Sequence, residues 1–187
     1  MTKRLLDILL ALAGALVLAL PLAVIACAIK LTSRGPVLYW SQRVGRDNVL
    51  FPMPKFRSMF TDAPTVATHL LDDPGRWITP LGRFLRRTSL DELPQLWSIL
   101  VGDMSVVGPR PALYNQHDLI QLRTEAGVHV LRPGLTGWAQ VNGRDELAIP
   151  DKVAFDAWYL QHQSLRLDLR ILVLTVAKVS GGDGVSH

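Results

Sequence analysis

An uncharged apolar segment near the N-terminus constrains the fold of this chain more than any other feature. Residues 8–29 form a run of 22 residues without a charge. A straight helix of that length measures about 33 Å, which matches the hydrocarbon core of a bilayer, roughly 30 Å thick. The simplest interpretation is therefore a single membrane-spanning helix.

Two features favour instead a re-entrant helix, which enters and leaves the membrane on the same face. Pro21 lies inside the run, where proline removes a helical hydrogen bond and clashes with the preceding turn. Basic residues flank both ends, Lys3 and Arg4 before the run and Lys30 after it. Because Lys and Arg favour the cytoplasmic side, we predict a re-entrant helix over residues 1–30 that is broken at Pro21.

A lipoprotein signal is a second alternative to the spanning helix. Residues 24–27, VIAC, follow a basic start and resemble a lipoprotein cleavage box, which would leave Cys27 lipidated. The apolar run is long for such a signal and contains a proline. Cys27 otherwise suits a helix as a small apolar residue, and a lone cysteine excludes an internal disulfide.

We predict that residues 31–187 form one cytosolic domain, mostly α-helical with a few short β-strands, an α+β fold. Its apolar helix over 165–179 suits either packing on the domain or the membrane interface. A hydrophobic fraction of 49% and a mean hydropathy of +0.22 exclude extended disorder. Apolar runs predict a strand over 37–40 and weaker ones over 49–51 and near Phe56, where prolines intervene. Helical periodicity predicts five helices, over 81–87, 93–101, 113–125, 151–162 and 165–179.

The adjacent acids Asp91 and Glu92 are the first candidate for catalytic chemistry. Ser89 and Glu92 have the spacing of a capping box, whereas Pro94 favours a helix that begins near itself. Either start places both carboxylates at a helix N-terminus, whose dipole favours their ionised form. An ionised Asp can act as a nucleophile, and a carboxylate pair can hold Mg²⁺. Taken without context, acids placed only to suit the dipole are the simpler explanation.

The surroundings of the acid pair are rich in arginine. Of the 20 basic residues 15 are Arg, whose planar fork of donors suits phosphates. Prolines fix the turns around Arg110 and Arg132, as expected for a site that binds a rigid diphosphate. The basic residues of these surroundings are Lys55, Arg57, Arg83, Arg86, Arg87, Arg110, Arg132 and Arg144. A solvated basic face, or attraction to anionic lipid headgroups, is the alternative explanation. We assign the remaining dispersed arginines to solvated surface: Arg46, Arg76, Arg123, Arg166 and Arg170.

Several familiar kinds of site are absent from the sequence. It contains no Walker A pattern, no G-x-G-x-x-G, no H-E-x-x-H and no G-x-S-x-G. The basic residues alternate with apolar ones and form no stripe, which argues against nucleic acid as a partner.

Six segments carry a resemblance, in chain order: KRLLDI (3–8), SRGPV (33–37), KFRSM (55–59), RTSLDELPQ (87–95), GDMSVVGPRP (102–111) and RPGLTGWAQVNGR (132–144). Together they resemble the bacterial sugar transferase family, whose members are small monotopic phosphoglycosyl transferases. The resemblance runs from Lys3 to about Val179. It implies the catalytic unit alone, without the additional N-terminal helices of larger members, and it implies a re-entrant membrane helix. Better-known members have Ser before the break proline, where this chain has Leu20.

The resemblance also implies a reaction. Members move a sugar-1-phosphate from a UDP-sugar to polyprenyl (undecaprenyl) phosphate, release UMP and so start a glycan. By this resemblance Asp91 forms a covalent phosphosugar intermediate, and Asp91 and Glu92 hold Mg²⁺. The remaining substrate-binding residues implied are Lys55, Arg57, Arg86, Arg110, Arg132, Gln140 and Arg144.

From the resemblance we expect a location in the bacterial inner membrane, with the active site facing the cytoplasm. The expected partners are the UDP-sugar, polyprenyl phosphate and the inner leaflet, with a homo-oligomer as a possibility. The expected sugar is an N-acetylhexosamine. Two alternatives remain: a catalytically inactive membrane-anchored scaffold for glycosyltransferases, and a lipid phosphatase.

Overall fold

The computed structural model describes residues 2–64, 73–143 and 147–181. Within these ranges the helices are α1 (Thr2–Val17), α2 (Ala19–Thr32), α3 (Pro74–Trp77), α4 (Pro80–Arg87), α5 (Leu96–Val101), α6 (His117–Glu125), α7 (Trp138–Val141), α8 (Ile149–His162) and α9 (Leu165–Gly181). The strands are β1 (Leu38–Val44), β2 (Leu50–Phe56), β3 (Ser105–Val107) and β4 (Gly134–Thr136). The predicted class, mostly helical with a few short strands, is confirmed.

The N-terminal apolar run is broken, but the break precedes the predicted position. Helices α1 and α2 meet at Leu18 with a bend of 61°, and Pro21 lies in the first turn of α2. Because Pro21 has no N–H for the Val17 carbonyl and its ring would clash with that group, the helix cannot continue straight through this turn. In the described part of the chain no single helix has the length and hydropathy of a membrane span, whereas the bent pair taken together does.

Polar side chains attach α1 to the rest of the protein. The buried carboxylate of Asp7 accepts hydrogen bonds from the Ser105 hydroxyl at 2.9 Å and from the backbone N–H of Val106 at 3.0 Å. Arg4 donates to two carbonyl oxygens near the end of α5, at 2.6 and 2.9 Å. Lys3 forms an ion pair of 2.7 Å with Asp168 of α9. The amphipathic start of α1 is therefore packed on the domain, and the boundary at residue 30 stays a prediction.

An antiparallel hairpin follows the helix pair. Strands β1 and β2 pair from Leu38 opposite Phe56 to Val44 opposite Leu50. Pro52 and Pro54 are accommodated because each strand of a two-stranded sheet has an open edge, where a missing N–H breaks no ladder bond. The two weak strands predicted over this region are thus one continuous strand.

The acid pair lies in a 3₁₀ helix, Leu90–Gln95, which we call the acidic turn. It connects α4 directly to α5, so the helix predicted over 93–101 begins as a tighter turn that contains Pro94. Helix α4 packs closely on the segment after β2, since a Cβ added at Gly82 would overlap the backbone of Ser58. The acidic turn is thereby held against the hairpin.

The parallel strands β3 and β4 were not predicted. Ser105 pairs with Gly134 and Val107 with Thr136, which places the segment that contains Arg110 beside the one that contains Arg132. Strands of three residues are too short for a period-two pattern to show in the sequence. Helix α6 is also shorter than predicted, beginning at His117 rather than near residue 113.

Candidate active site

The backbone at the acid pair has an unusual conformation. Ser89, which precedes the acidic turn, is left-handed with φ of 56°, and its side chain makes no capping hydrogen bond. Non-glycine residues adopt this conformation at an energetic cost, and such sites cluster where function depends on geometry. The capping-box alternative is therefore excluded, and the carboxylate of Glu92 is free to point away from the backbone of Ser89.

Two cations hold Glu92 in place. The Lys55 ammonium lies 2.7 Å from Glu92 Oε1, and the Arg110 guanidinium lies 2.8 Å from Oε1 and 3.4 Å from Oε2. Burial would raise the pKa of Glu92, but Arg110 and Lys55 together outweigh it and hold the pKa well below its usual range. Glu92 is therefore ionised at neutral pH and fixed between β2 and the turn that contains Arg110.

Asp91 has the opposite electrostatic surroundings. Its side chain is buried, with the residue 8% exposed, and within residues 2–64, 73–143 and 147–181 no ion pair engages its carboxylate. Burial raises its pKa; Lys55 and Arg86 oppose this shift and the neighbouring Glu92 adds to it. The effect of a helix dipole on the ionised form stays a prediction; the acidic turn is a short 3₁₀ helix, and at Asp91 burial shifts the pKa in the opposite direction.

Arg43 is a further cation of this centre that was not among the predicted residues. Its guanidinium donates to the Ser41 hydroxyl at 3.0 Å and to the Pro111 carbonyl at 3.2 Å. Burial and the nearby Arg110 lower its pKa to about 10, against the effect of Glu92. The hairpin register is the signal that could have identified Arg43. Because Tyr39 pairs with Lys55, the side chains of Arg43 and Lys55 lie on the same face of the hairpin.

Two other predicted site residues, Arg57 and Arg132, make no contact with the acid pair among the described contacts. Arg57 is 6% exposed and donates to the carbonyl oxygens of Ser33 and Arg34, at 2.9 and 2.7 Å. These contacts tie the end of α2 to the hairpin. Arg132 donates from Nε to the Gly102 carbonyl at 2.9 Å. Substrate binding by Arg57 and Arg132 stays a prediction.

Arg86, Gln140 and Arg144 complete the predicted set. Arg86 lies close enough to Asp91 to lower its pKa. Gln140 donates to the Leu135 carbonyl at 3.3 Å, and its buried Oε1 has no hydrogen-bond partner among the described residues. Arg144 lies outside the described residues. Roles for all three in substrate binding stay predictions.

The donor set suits Mg²⁺ only together with a substrate. No cluster of three or more His, Cys, Asp or Glu side chains occurs in the described ranges. Mg²⁺ is commonly bound through one or two carboxylates completed by substrate phosphates and water. Asp91, which no described cation pairs with, and the adjacent Glu92 fit this mode of binding.

Chemically, the centre combines a buried carboxylate with several fixed cations. Lys55, Arg43 and Arg110 create a positive environment that favours an anionic ligand, and Asp91 beside them can act as a nucleophile. Such an arrangement is typical of sites that bind phosphorylated substrates.

Comparison with known proteins identifies the family. The profile of the bacterial sugar transferases matches residues 1–182, and the chain belongs to this family. It is 43% identical to the uncharacterized sugar transferase EpsL of Bacillus subtilis (strain 168), over 85% of this chain and 77% of the relative.

Two other relatives have more specific names. The undecaprenyl-phosphate glucose phosphotransferase of Komagataeibacter xylinus is 42% identical over 94% of this chain and 35% of its own length. The UDP-glucose:undecaprenyl-phosphate glucose-1-phosphate transferase of Escherichia coli (strain K12) is 41% identical over 94% of this chain and 39% of its own length. The chain therefore spans little more than a third of the length of these two relatives. The family match confirms the resemblance to bacterial sugar transferases that the sequence motifs indicated.

Proposed function

We propose that this protein transfers a sugar-1-phosphate from a UDP-sugar to polyprenyl phosphate and releases UMP. The observation that carries the proposal is the contrast within the acid pair. Glu92 is ionised and held by two cations, whereas the buried Asp91 has a raised pKa and no described ion-pair partner. The names of three relatives contain undecaprenyl phosphate together with glucose or galactose, and these names support a nucleotide sugar and a polyprenyl phosphate as the two substrate classes.

In the proposed first step, a carboxylate oxygen of Asp91 attacks the β-phosphorus of the UDP-sugar. The bond from this phosphorus to the bridging oxygen breaks, and UMP leaves with that oxygen and its electron pair. A carboxylate with a raised pKa is the more basic and therefore the stronger nucleophile once ionised. The product is a sugar phosphate bound covalently to Asp91.

In the second step, a phosphate oxygen of the polyprenyl phosphate attacks the same phosphorus. The bond to Asp91 breaks, its carboxylate is regenerated, and the product is a polyprenyl-diphospho-sugar. Because UMP can leave before the lipid reacts, the proposal predicts ping-pong kinetics.

The cations are proposed to bind the phosphates of both substrates. Lys55 and Arg110 fix Glu92 and provide positive charge beside Asp91, and Arg86 approaches Asp91 from α4. When bound, Mg²⁺ would be held by Asp91 and Glu92 and would neutralise charge on the diphosphate. Arg57, Arg132, Gln140 and Arg144 are proposed as further substrate ligands on the resemblance alone.

We further propose that the α1–α2 pair lies re-entrant in the cytoplasmic leaflet of the bacterial inner membrane. Large apolar side chains at the bend are exposed, with Leu16 at 80%, and Val17 and Leu20 at 75% each. Lys3 and Lys30 lie near the two ends of the pair, which favours both ends on the cytoplasmic side. The active site would then lie where a membrane-bound lipid phosphate and a soluble UDP-sugar can both reach it. A homo-oligomer stays a prediction.

The test is release of UMP by the detergent-solubilised protein from a UDP-sugar, with and without polyprenyl phosphate. We expect UMP formation in steady state only with the lipid, and exchange of labelled UMP into the UDP-sugar without it. Asp91→Asn should abolish both signals. Glu125→Gln, a change of an exposed acid on α6, is the matched control and should leave both unchanged.

Other outcomes would favour the alternatives. A folded protein that releases no UMP with any donor would support the scaffold. Release of inorganic phosphate from the lipid, independent of UDP-sugar, would support the phosphatase.

The identity of the sugar is tested by the choice of donor. The resemblance favours an N-acetylhexosamine, whereas two longer relatives are named as glucose and galactose phosphotransferases. A panel of UDP-glucose, UDP-galactose, UDP-N-acetylglucosamine and UDP-N-acetylgalactosamine distinguishes them by kcat/KM. Preference for either non-acetylated donor would overturn the N-acetylhexosamine expectation.

A further inference from the structure

The residues around Arg110 are held by contacts from outside the acid pair. Residues 109–112, which we call the Arg110 turn, have four successive carbonyl oxygens that each accept a hydrogen bond. The donors, in order, are Gly134 N–H at 2.8 Å, Arg123 Nη1 at 2.8 Å, Arg43 Nη1 at 3.2 Å and Val44 N–H at 3.0 Å. The position of the Arg110 backbone therefore depends on two other arginines.

Arg123 of α6 makes the contact that lies at Arg110 itself. Its Nε and Nη2 atoms lie 3.0 and 2.6 Å from one carboxylate oxygen of Asp156 on α8, while its Nη1 donates to the Arg110 carbonyl. A guanidinium is planar and rigid, so fixing one edge on Asp156 directs the remaining donor at the turn. Arg123 was predicted to lie on solvated surface, but its side chain is only 11% exposed.

Stability alone is a poor explanation for this ion pair. Asp156 is 1% exposed, and burial raises its pKa although Arg123 lies beside it. Buried ion pairs often recover less than the desolvation free energy of their two charges, and apolar replacements can be more stable. A role in fixing geometry accounts better for an Arg whose third donor is directed at the Arg110 carbonyl.

We propose that Arg123, held by Asp156, is a positioning residue that orients Arg110 toward Glu92 and toward the phosphates of the substrate. Neither Arg123 nor Asp156 contacts the acid pair among the described contacts; both act through the Arg110 turn. The inference rests on the proposed function only for the identity of the anion that Arg110 binds.

A double-mutant cycle tests this coupling, with inorganic pyrophosphate as the binding probe. Arg123→Lys keeps the positive charge beside Asp156 but loses the planar fork. We expect it to weaken pyrophosphate binding, measured by calorimetry, and to lower kcat/KM for UMP release. Each effect should be about 10-fold, the lower end of what is found for residues that orient metal ligands. In an Arg110→Lys background the same change should have little further effect, because residues of one network are not additive.

Two controls separate positioning from loss of stability. Arg46→Lys makes the same exchange at an exposed ion pair and should change neither readout. Ile171→Val shortens a fully buried core side chain and should lower Tm while leaving pyrophosphate affinity unchanged. Asp156→Asn should have the same effects as Arg123→Lys on pyrophosphate affinity and kcat/KM. If Arg123→Lys does not fold, Asp156→Asn takes its place in the cycle.

The inference is overturned by an unchanged pyrophosphate affinity in Arg123→Lys, by full additivity with Arg110→Lys, or by wild-type protein that binds no pyrophosphate. Failure of the proposed function gives a different pattern: pyrophosphate binds and the cycle shows coupling, but wild-type protein releases no UMP from any donor.

Discussion

Asp91 and Glu92 are neighbours in the chain, but their carboxylates make opposite contributions to stability. The ionised form of Glu92 is stabilised by Lys55 and Arg110, while the ionised form of Asp91 is disfavoured by burial. No described cation forms an ion pair with Asp91, and an unpaired buried charge lowers the stability of the fold. Such costs are common at functional sites. One acid therefore contributes to the folded structure and the other is available for chemistry.

This contrast predicts opposite effects of two similar substitutions on thermal stability at pH 7.5 without metal. Asp91→Asn removes the unfavourable charge and should raise Tm, by about 2–4 °C for each kcal/mol regained. Glu92→Gln leaves two cations without their partner and should cost about 2–3 kcal/mol, less than for a fully buried pair because the Arg110 side chain is 34% exposed. Calorimetry with EDTA measures both, with Glu125→Gln as the control. Destabilisation by Asp91→Asn would contradict this assignment.

The pH dependence of these effects follows from the direction of each shift. The folded-state pKa of Asp91 is raised, so its stability cost is full above that pKa and disappears as the pH falls toward about 4, the unfolded value. The pKa of Glu92 is depressed, so its contribution is full above about 4.3 and is lost as the pH falls toward its folded pKa.

Melting curves between pH 7.5 and 4 should therefore show the advantage of Asp91→Asn over wild type shrinking as the pH falls. The deficit of Glu92→Gln should persist over most of this range and decrease only at its acid end. An advantage of Asp91→Asn that grows on acidification would have the wrong sign.

Among the elements, the bent pair α1–α2 shows how one proline acts on the preceding turn. The bend at Leu18 lies three residues before Pro21, because the proline ring and its missing N–H affect the carbonyl four residues earlier. Leu18 still accepts a hydrogen bond from the Leu22 N–H at 2.8 Å. Helix α2 is therefore regular from its start, and the irregularity is confined to the junction.

Pro21→Ala should straighten this junction, because alanine restores the N–H and removes the clash. In membrane vesicles of defined orientation we expect cysteines placed at Thr2 and Thr32, in a Cys27→Ser background, to react with an impermeant reagent on the same face in the parent protein. In Pro21→Ala they should react on opposite faces, whereas Pro36→Ala, beyond the pair, should leave the pattern unchanged. Same-face labelling in Pro21→Ala would show that Pro21 does not cause the bend.

Elements defined by local sequence could be predicted, and elements defined by distant partners could not. The long helices α8 and α9 follow from periodicity and lie close to their predicted ranges, whereas strand β1 was predicted over 37–40 and extends to Val44. The parallel pair β3 and β4 joins residues about 30 positions apart, and no local pattern specifies that pairing.

The same limit applies to the candidate site. The acid pair, Lys55 and Arg110 were identified from motifs, and the structure brings all four together. Arg123 was assigned to the surface because arginines are common there, and no local pattern links it to its partner Asp156, 33 residues away on another helix. The roles of such residues depend on tertiary contacts.

At the scale of the whole molecule, the apolar helix pair and the acidic turn belong to one packed structure. Helix α1 contacts α5 through Arg4 and the β3 strand through Asp7, and α5 follows the acidic turn directly. The proposed membrane segment is thereby fixed relative to the proposed nucleophile. Such a connection suits a reaction in which one substrate is dissolved in water and the other is held in a lipid leaflet.

The most direct test of the central claim is intact-protein mass spectrometry after mixing with a UDP-sugar donor in the absence of lipid acceptor. We predict about one equivalent of released UMP and a mass increase of one sugar phosphate, mapped to Asp91 by peptide analysis. Addition of polyprenyl phosphate should remove the adduct, and Asp91→Asn should show neither signal. Normal product formation without an adduct on wild-type protein, together with turnover by Asp91→Asn, would contradict the account.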